Sequence, residues 1–142
     1  MRVYRVTHKK WSNKLIASGM PARWNSAGIK MICCAASRAL ACLENVVHRG
    51  DSDLFNLPFV TMEIEIPDDL NIIEQELTAL PHGWNEGGEE AYRKCRPFGD
   101  IWYRGLESAV LKVPSAIIPG DSNYILNPDH PDFSKIFIAA ED

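Results

Sequence analysis

The sequence lacks any long run of apolar residues. No stretch approaches the roughly 20 apolar residues that a membrane-spanning helix needs. The first segment, MRVYRVTHKKW, alternates apolar and basic side chains, so it contains no apolar core of the kind found in signal peptides. We therefore expect no membrane partner and a cytoplasmic location.

An excess of positive charge is also missing. The chain has 15 Lys and Arg residues against 19 Asp and Glu residues, a net charge of -4 and an isoelectric point near 5.5. Proteins that bind the phosphate backbone of nucleic acids present a broad positive field. The composition therefore argues against a nucleic acid as a direct partner.

Metal-binding spacing is absent among the cysteines and histidines. Cys33, Cys34, Cys42 and Cys95 contain no CxxC pair, and the 4 histidines form no spaced cluster with them. Zinc sites and disulfide frameworks depend on such spacings. We expect no metal ion and no disulfide, and we interpret the cysteines as buried free thiols in a reducing compartment.

What the sequence does contain is ordinary for a globular protein. Its 142 residues, of which 46% are hydrophobic and 24% charged, fit one domain spanning residues 1–142. Strand-like and helix-like segments do not alternate regularly along the chain. This arrangement predicts the α+β class.

Local patterns predict the individual elements. Apolar residues recur at helical spacing after Ser37, a good N-cap, which predicts a helix that ends near Gly50. Alternating apolar and polar residues predict a strand at 60–66. We expect a long loop over residues 80–99, with one short helical piece at 89–93. Shorter β-rich runs lie at residues 3–6, 31–34, 109–113, 115–118, 124–126 and 136–138.

Three segments carry motifs in a distinctive order. The first is ARWN at residues 22–25, followed by Gly28, and the second is SRALACLE at residues 37–44. The third joins VPSA at 113–116, NYILNP at 123–128 and HP at 130–131. In content, order and spacing these segments resemble the RES domain family, which is named for an arginine, a glutamate and a serine. The resemblance covers nearly the whole chain.

The resemblance implies a single compact domain with a fold like that of the ADP-ribosylating toxins. It also implies a toxin that destroys NAD by breaking the nicotinamide–ribose bond, with NAD as the substrate and no cofactor. The implied partner is a cognate antitoxin with a helix-turn-helix DNA-binding domain. We also expect self-association, such as a homodimer, or a protein partner, because a toxin must be held inactive and segment 53–55 offers apolar side chains.

The resemblance assigns catalysis to Arg23, Glu44 and Ser115, and their chemistry fits. A guanidinium can hold phosphate oxygens bidentately, and a half-buried carboxylate stabilises positive charge that develops on a ribose. The serine hydroxyl would orient a ribose or phosphate; it lacks a histidine in a triad relationship. Each residue also has an ordinary structural alternative. Arg23 would be an ion-pair partner, Glu44 a helix-surface glutamate, and Ser115 a buried serine bonded to backbone.

Weaker candidates for substrate binding are Tyr4, Asn25 and Asn127. The tyrosine would stack on a ring or pack in the core, and the asparagines would make polar contacts or serve as turn residues. His130 lies in the turn-rich segment NPDHP, and we interpret it as a structural residue in preference to a general base. Cys33 stands where relatives usually carry a tyrosine, the position of a substrate-stacking or hydroxyl contact.

Two other functions are compatible with the motifs. A protein ADP-ribosyltransferase would use the same NAD site and pass the ribose to a protein side chain. A non-catalytic binding module would persist only as the partner of a DNA-binding protein. The presence of Arg23, Glu44 and Ser115 argues against that module, and Cys33 alone favours it.

Overall fold

In the computed structural model, which describes residues 1–49 and 58–142, these residues form a seven-stranded sheet with two α-helices. The strands are β1 (Arg2–His8), β2 (Ile32–Ala35), β3 (Phe59–Glu65), β4 (Ile72–Glu74), β5 (Val110–Pro114), β6 (Ser122–Leu126) and β7 (Phe137–Glu141). The helices are α1 (Arg38–Arg49) and α2 (Glu89–Gly105), and short 3₁₀ helices cover Lys9–Trp11, Leu77–Ala79 and Pro131–Lys135. The α+β class is confirmed. The predicted helix end near Gly50 and the apolar segment 53–55 lie outside the described residues.

The order of strands brings distant parts of the chain together. Across the sheet the order is β4-β5-β6-β2-β1-β3-β7, with β4 and β5 parallel and the other neighbours antiparallel. Tyr4 opposes Ala35, Ala35 opposes Asn123, and Asn123 opposes Val113. Directly opposed residues project from the same face of a sheet, so these four side chains form one row across four strands.

Both helices pack on the face that carries this row. On α1, Leu40 and Ala41 are buried against Ala35, with Tyr4 and Val6 packed beside them. Three residues of α2 are buried with side chains of β5 and β6 that belong to the same face, namely Cys95, Trp102 and Tyr103 with Leu111, Val113 and Ile125. The two helices therefore cover different strands of one sheet face.

The opposite face carries the other main cluster of the core. It is built from alternate residues of the central strands, among them Val3, Ile32, Met62, Ile64 and Leu126. Met62 and Ile64 are 1% and 0% exposed, which confirms the alternation predicted for residues 60–66. Because each strand alternates its side chains between faces, a single register assigns one set to this core and the other to the helices.

The prediction of a loop over residues 80–99 was wrong in its second half, because the helical piece expected at 89–93 is confirmed but belongs to a much longer helix. The 17 residues Glu89–Gly105 form α2 with Pro97 inside it, although proline removes a helical donor and usually breaks a helix. Two acidic residues in its first turn, Glu89 and Glu90, complement the helix dipole. Tertiary packing of the buried α2 side chains outweighs the local signals on which the prediction rested.

Smaller corrections concern strands and cysteines. Residues 115–118, predicted as a strand, form a turn after β5, and the three-residue strand β4 was not predicted. Cys34 and Cys95 are buried free thiols as expected, whereas Cys33 and Cys42 are exposed. The N-cap prediction is confirmed, because the backbone N–H of Leu40 donates to Ser37 Oγ at 3.1 Å. Among the described residues no helix is long and apolar enough to cross a membrane.

Candidate active site

A cavity of about 290 Å³ opens on the sheet face that carries both helices. Its floor includes Cys33 from β2 and Asn123 and Ile125 from β6, three side chains that share this face. On one side it is lined by Glu44 and His48 of α1. The cavity therefore lies where the sheet is exposed between the strands that α1 covers and those that α2 covers.

A gap in strand pairing widens the cavity. Between β1 and β2, among the residues that the structure describes, ladder pairing is confined to Tyr4 with Ala35. Beyond that pair, Val6 of β1 and Cys33 of β2 both line the cavity. The strands separate here, and the space between them belongs to the site.

Glu44 is held by both carboxylate oxygens. Asn123 Nδ2 donates to Oε1 at 2.7 Å, and His48 Nε2 lies 3.2 Å from Oε2, one helical turn along α1. The Glu44 side chain is 21% exposed, so it is neither free in solvent nor sealed in the core. Two partners from different elements thus fix the carboxylate at the cavity wall.

The charge of Glu44 is favoured by its surroundings. Burial is the largest single influence and raises the pKa of the carboxyl group, but hydrogen bonds from His48 and Asn123 oppose it. The Coulombic influence of His48 and of the Arg23 guanidinium acts in the same direction, and the pKa of Glu44 is lowered below its ordinary value. The carboxylate is therefore ionised at neutral pH inside a partly desolvated cavity.

Arg23 is anchored by backbone and by an aromatic ring. Its Nη1 donates to the carbonyl of Trp84 and its Nη2 to the carbonyl of Glu86 at 3.0 Å, while the guanidinium lies 4.6 Å from the centre of the Tyr92 ring. It forms no ion pair with any part of the chain that the structure describes, contrary to the ion-pair alternative. An uncompensated, well-fixed positive charge therefore lines the cavity.

Tyr4 and Cys33 line the cavity without forming a reactive pair. The Tyr4 ring packs against α1 and lies 5.4 Å from the guanidinium carbon of Arg38. Cys33 is reached through the cavity but is surrounded by protein, and burial raises the pKa of its thiol to about 11. Since the thiolate is the nucleophilic form, Cys33 offers the site a small neutral surface at pH 7.

The structure does not bring Ser115 into the cavity. Ser115 is 5% exposed, and its Oγ accepts hydrogen bonds from the backbone N–H groups of Ile117 and Ile118, both at 3.1 Å. Its neighbours Ala116 and Ile117 do line the cavity. The hydroxyl fixes the turn that forms part of the cavity wall. Ser115 is thus a buried serine bonded to backbone, the structural alternative to a contact with substrate.

Asn25, Asn127 and His130 also lie away from the cavity lining. The Asn25 amide donates to the carbonyls of Met20 at 2.9 Å and Ile29 at 3.0 Å. The Asn127 amide donates to the carbonyl of Tyr103 at 2.9 Å and its Oδ1 accepts from the N–H of Asp129 at 2.9 Å. His130 Nδ1 accepts from the N–H of Asp132 at 3.0 Å. All three side chains bond to backbone groups outside the cavity lining, and a substrate contact of the two asparagines stays a prediction.

Comparison with known proteins identifies the family. The RES domain family matches residues 2–142. The chain belongs to the RES domain family. The Prs ADP-ribosylating toxin of Sphingobium sp. (strain YBL2) is 42% identical over 137 residues, which cover 95% of this chain and 81% of that protein.

Two further relatives of this RES domain protein carry the name Toxin Res. The one from Photorhabdus laumondii subsp. laumondii is 35% identical over 141 residues, covering 95% of this chain and 86% of the relative. The one from Yersinia enterocolitica is 35% identical over 137 residues, covering 94% of this chain and 88% of the relative. The match to the family and to these two relatives therefore extends over almost the whole chain.

Three residues of the RES site were missed by sequence reasoning. His48 follows Glu44 by one helical turn, so the spacing within α1 contained the signal. Tyr92 lies in the short helical piece predicted at 89–93, but nothing in the sequence showed that its ring faces Arg23. Asn123 stands in the NYILNP motif, but only the pairing of β6 with β2 shows that it faces Glu44. No metal-binding group of three or more His, Cys, Asp or Glu side chains occurs within residues 1–49 and 58–142.

Proposed function

We propose that this RES domain protein is a toxin that binds NAD in the cavity and breaks the bond between nicotinamide and ribose. The observation that carries the proposal is the Glu44 carboxylate, which is ionised, half withdrawn from solvent and fixed on both oxygens at the cavity wall. The toxin names of the relatives support it.

The chemistry requires an anion near the anomeric carbon of the ribose. When the glycosidic bond breaks, both bonding electrons pass to the nicotinamide ring, which leaves as a neutral molecule. The ribose then carries positive charge, as in glycoside hydrolysis. A preorganised carboxylate stabilises that charge without reorganising, because Asn123 and His48 already hold it in place.

Arg23 supplies the complementary cation for the diphosphate of NAD. Two of its nitrogen atoms donate to the carbonyls of Trp84 and Glu86, which fix the guanidinium in place. Since carbonyls are neutral acceptors, the positive charge stays available to an anion in the cavity. Its stacking on Tyr92 leaves the orientation with little freedom. A cation held this way attracts phosphate oxygens while losing little entropy on binding.

The size of the cavity indicates which part of NAD it encloses. A volume of about 290 Å³ lies at the lower end of the range of about 300–1,000 Å³ for small-molecule sites. We infer that the nicotinamide and its ribose occupy the cavity, against Tyr4, Cys33 and Ile125. The diphosphate then lies toward Arg23, and the adenosine end extends to the mouth.

The acceptor of the ribose separates two versions of this function. Water or phosphate as acceptor makes the protein an NAD glycohydrolase or phosphorylase. A protein side chain as acceptor makes it an ADP-ribosyltransferase, a version favoured by the name of the 42% identical Sphingobium relative, an ADP-ribosylating toxin. In each case the acceptor adds to the same carbon and loses a proton.

One assay tests the proposal and separates its versions. The purified protein is incubated with NAD, with and without phosphate, and the products are resolved by chromatography. Free nicotinamide is expected in every case, together with ADP-ribose, a phosphorylated ADP-ribose or, when bacterial extract is added, modified protein found by mass spectrometry. Absence of nicotinamide release under all three conditions would refute NAD cleavage.

We also propose that a cognate antitoxin holds the protein inactive in its host, and that this antitoxin has a helix-turn-helix DNA-binding domain. The support is the family, together with the toxin names of its relatives. A catalyst that consumes NAD would harm the cell that makes it, so a tight inhibitory partner is needed.

A further inference from the structure

One polar atom in the wall of the cavity is buried and has no partner. Among the buried side-chain nitrogen and oxygen atoms of the residues that the structure describes, Asn123 Oδ1 alone makes no hydrogen bond. Buried polar atoms in folded proteins are almost always paired, and an exception calls for an explanation. Since Asn123 lines the cavity, a ligand is the natural source of the missing donor.

The contact between Asn123 and Glu44 fixes which amide atom is unpaired. An ionised carboxylate only accepts hydrogen bonds, so the NH₂ group of Asn123 must face Glu44 Oε1, at 2.7 Å. The amide oxygen then points away from Glu44 and lacks a donor. The terminal torsion of an asparagine is soft, so a small rotation of the whole amide would turn Oδ1 toward a ligand and leave Nδ2 within hydrogen-bonding distance of Glu44.

The backbone around Asn123 is rigid on both sides. Asn123 lies in β6 between β2 and β5, opposite Ala35 on one side and Val113 on the other. Its side chain belongs to the row that faces the helices, beside the cavity floor at Ile125. A side chain fixed in the middle of a sheet can position both Glu44 and a substrate group precisely relative to each other.

We propose that Asn123 is a positioning and substrate-reading residue: Nδ2 orients the Glu44 carboxylate, and Oδ1 accepts a hydrogen bond from a hydroxyl of the nicotinamide ribose. This inference rests on the proposed function and assigns a residue to it. A ribose hydroxyl is the fitting donor because Glu44 acts at the same sugar, within reach of the same amide group.

The first experiment replaces Asn123 by aspartate, which has the same shape but no donor and an added negative charge. Beside a second carboxylate, Glu44 ionises less readily and its pKa rises. The acid limb of the profile of kcat against pH is therefore expected to move to higher pH, and kcat at pH 7 to fall at least about 10-fold. The added charge alone moves that limb, so the discriminating variant is Asn123→Ser, whose acid limb a merely structural role would leave unchanged.

Matched variants make the result decisive. Asn71→Asp makes the same chemical change on an exposed side chain outside the cavity lining, and its pH profile should equal that of the parent protein. The serine side chain of Asn123→Ser is too short to donate to Glu44 and adds no charge. The acid limb of the kcat profile of this variant should therefore move in the same direction, but by less. If Asn123→Asp does not fold, the serine variant decides the question alone.

The second experiment tests the contact with the ribose. Turnover of NAD is compared with turnover of its analogues lacking the 2′- or the 3′-hydroxyl of the nicotinamide ribose, in the parent protein and in Asn123→Ser. We expect the variant to lose at least about 10-fold on NAD and much less on one of the analogues, because that hydroxyl is already absent. Equal losses on all three substrates, or an unmoved acid limb, would overturn the inference. An inactive parent protein would instead refute the proposed function.

Discussion

At the scale of single residues, the site depends on how Glu44 is held. A glutamate on a helix surface is normally mobile and solvated, whereas this one contacts Asn123 from the sheet and His48 from its own helix. The two contacts lower its pKa against the opposing effect of burial. They also remove most of the reorganisation that a free carboxylate would undergo during the reaction.

Replacing Glu44 by glutamine tests this role. The side chain keeps its length, its oxygen can still accept from Asn123, and its NH₂ can face His48, so the melting temperature should change little. Turnover should fall at least about 100-fold, the scale seen when one preorganised electrostatic group is lost. Nicotinamide release measures turnover, and calorimetric NAD binding shows whether the cavity is intact. An active and toxic Glu44→Gln protein would contradict the proposed mechanism.

The lowered pKa of Glu44 predicts the behaviour in acid. Because the folded-state pKa lies below the ordinary value of 4.5, the carboxylate is still ionised when the pH reaches that value. NAD cleavage should therefore persist at pH 5 and decline only below about 4.5, wherever circular dichroism shows the protein folded. The same ionised group stabilises the fold above its unfolded-state pKa, a contribution lost as the pH falls through the lowered value. An acid limb centred near pH 6 would contradict this assignment.

Arg23 is expected not to tolerate lysine. A lysine ammonium keeps the charge but lacks the planar fork that bridges the carbonyls of Trp84 and Glu86 over the Tyr92 ring. The rate of nicotinamide release by Arg23→Lys should fall at least about 10-fold. The assay temperature is chosen so that thermal melting shows the variant to be folded. Full activity in the variant would show that Arg23 serves structure alone.

A substrate comparison separates the phosphate role of Arg23 from its structural contacts. Nicotinamide mononucleotide has a single phosphate, so it should be the poorer substrate of the parent protein. The difference between the two substrates should shrink in Arg23→Lys. Equal turnover of both substrates by the parent would place Arg23 away from the diphosphate.

At the scale of elements, α2 shows why sequence patterns fell short. Gly99 lies inside this helix, where glycine normally weakens structure. A Cβ atom there would collide with the backbone carbonyl of Trp24, so the glycine allows the segment carrying Arg23 and Trp24 to approach the helix. Gly99, one of the residues that looked like a loop signal, is thus a residue that lets α2 pack closely.

Replacing Gly99 by alanine should therefore destabilise the protein despite the better helix propensity of alanine. The collision is with backbone and not with a flexible side chain, so we expect a loss of about 1–3 kcal/mol in urea unfolding. Gly105, at the end of the same helix, is the matched control because a Cβ atom there meets nothing within 4 Å. If Gly99→Ala and Gly105→Ala were equally stable, the close approach of α2 to the Trp24 carbonyl would not contribute to stability.

The sequence was informative where one element decides a feature. The period and N-cap of α1 placed Glu44 on the right helix, and alternation placed Met62 and Ile64 in the core. It was uninformative where two distant segments meet. The partnership of Asn123 with Glu44 joins residues 79 positions apart, and no local pattern encodes it. Ser115, taken from a motif, turned out to support a wall of the cavity.

At the scale of the whole molecule, inhibition by a partner is the expectation most open to test. Co-expression with the product of the neighbouring gene should yield a stable complex by light scattering, with nicotinamide release at least about 10-fold lower than that of the toxin alone. The toxin alone should prevent growth unless Glu44 is replaced by glutamine. A protein that stays monomeric, binds no neighbouring gene product and spares cells would contradict the toxin–antitoxin proposal.

The row formed by Tyr4, Ala35, Asn123 and Val113 limits how such proteins can diverge in length. Inserting or deleting one residue within β6 would turn Asn123 to the opposite face and leave Glu44 facing a neighbour of different chemistry. Such a change would abolish the site and also exchange Leu126 and Ile125 between the two core clusters. Length variation among functional relatives should therefore accumulate in the connections, as between β3 and β4, while the strands beneath the cavity keep their residue count.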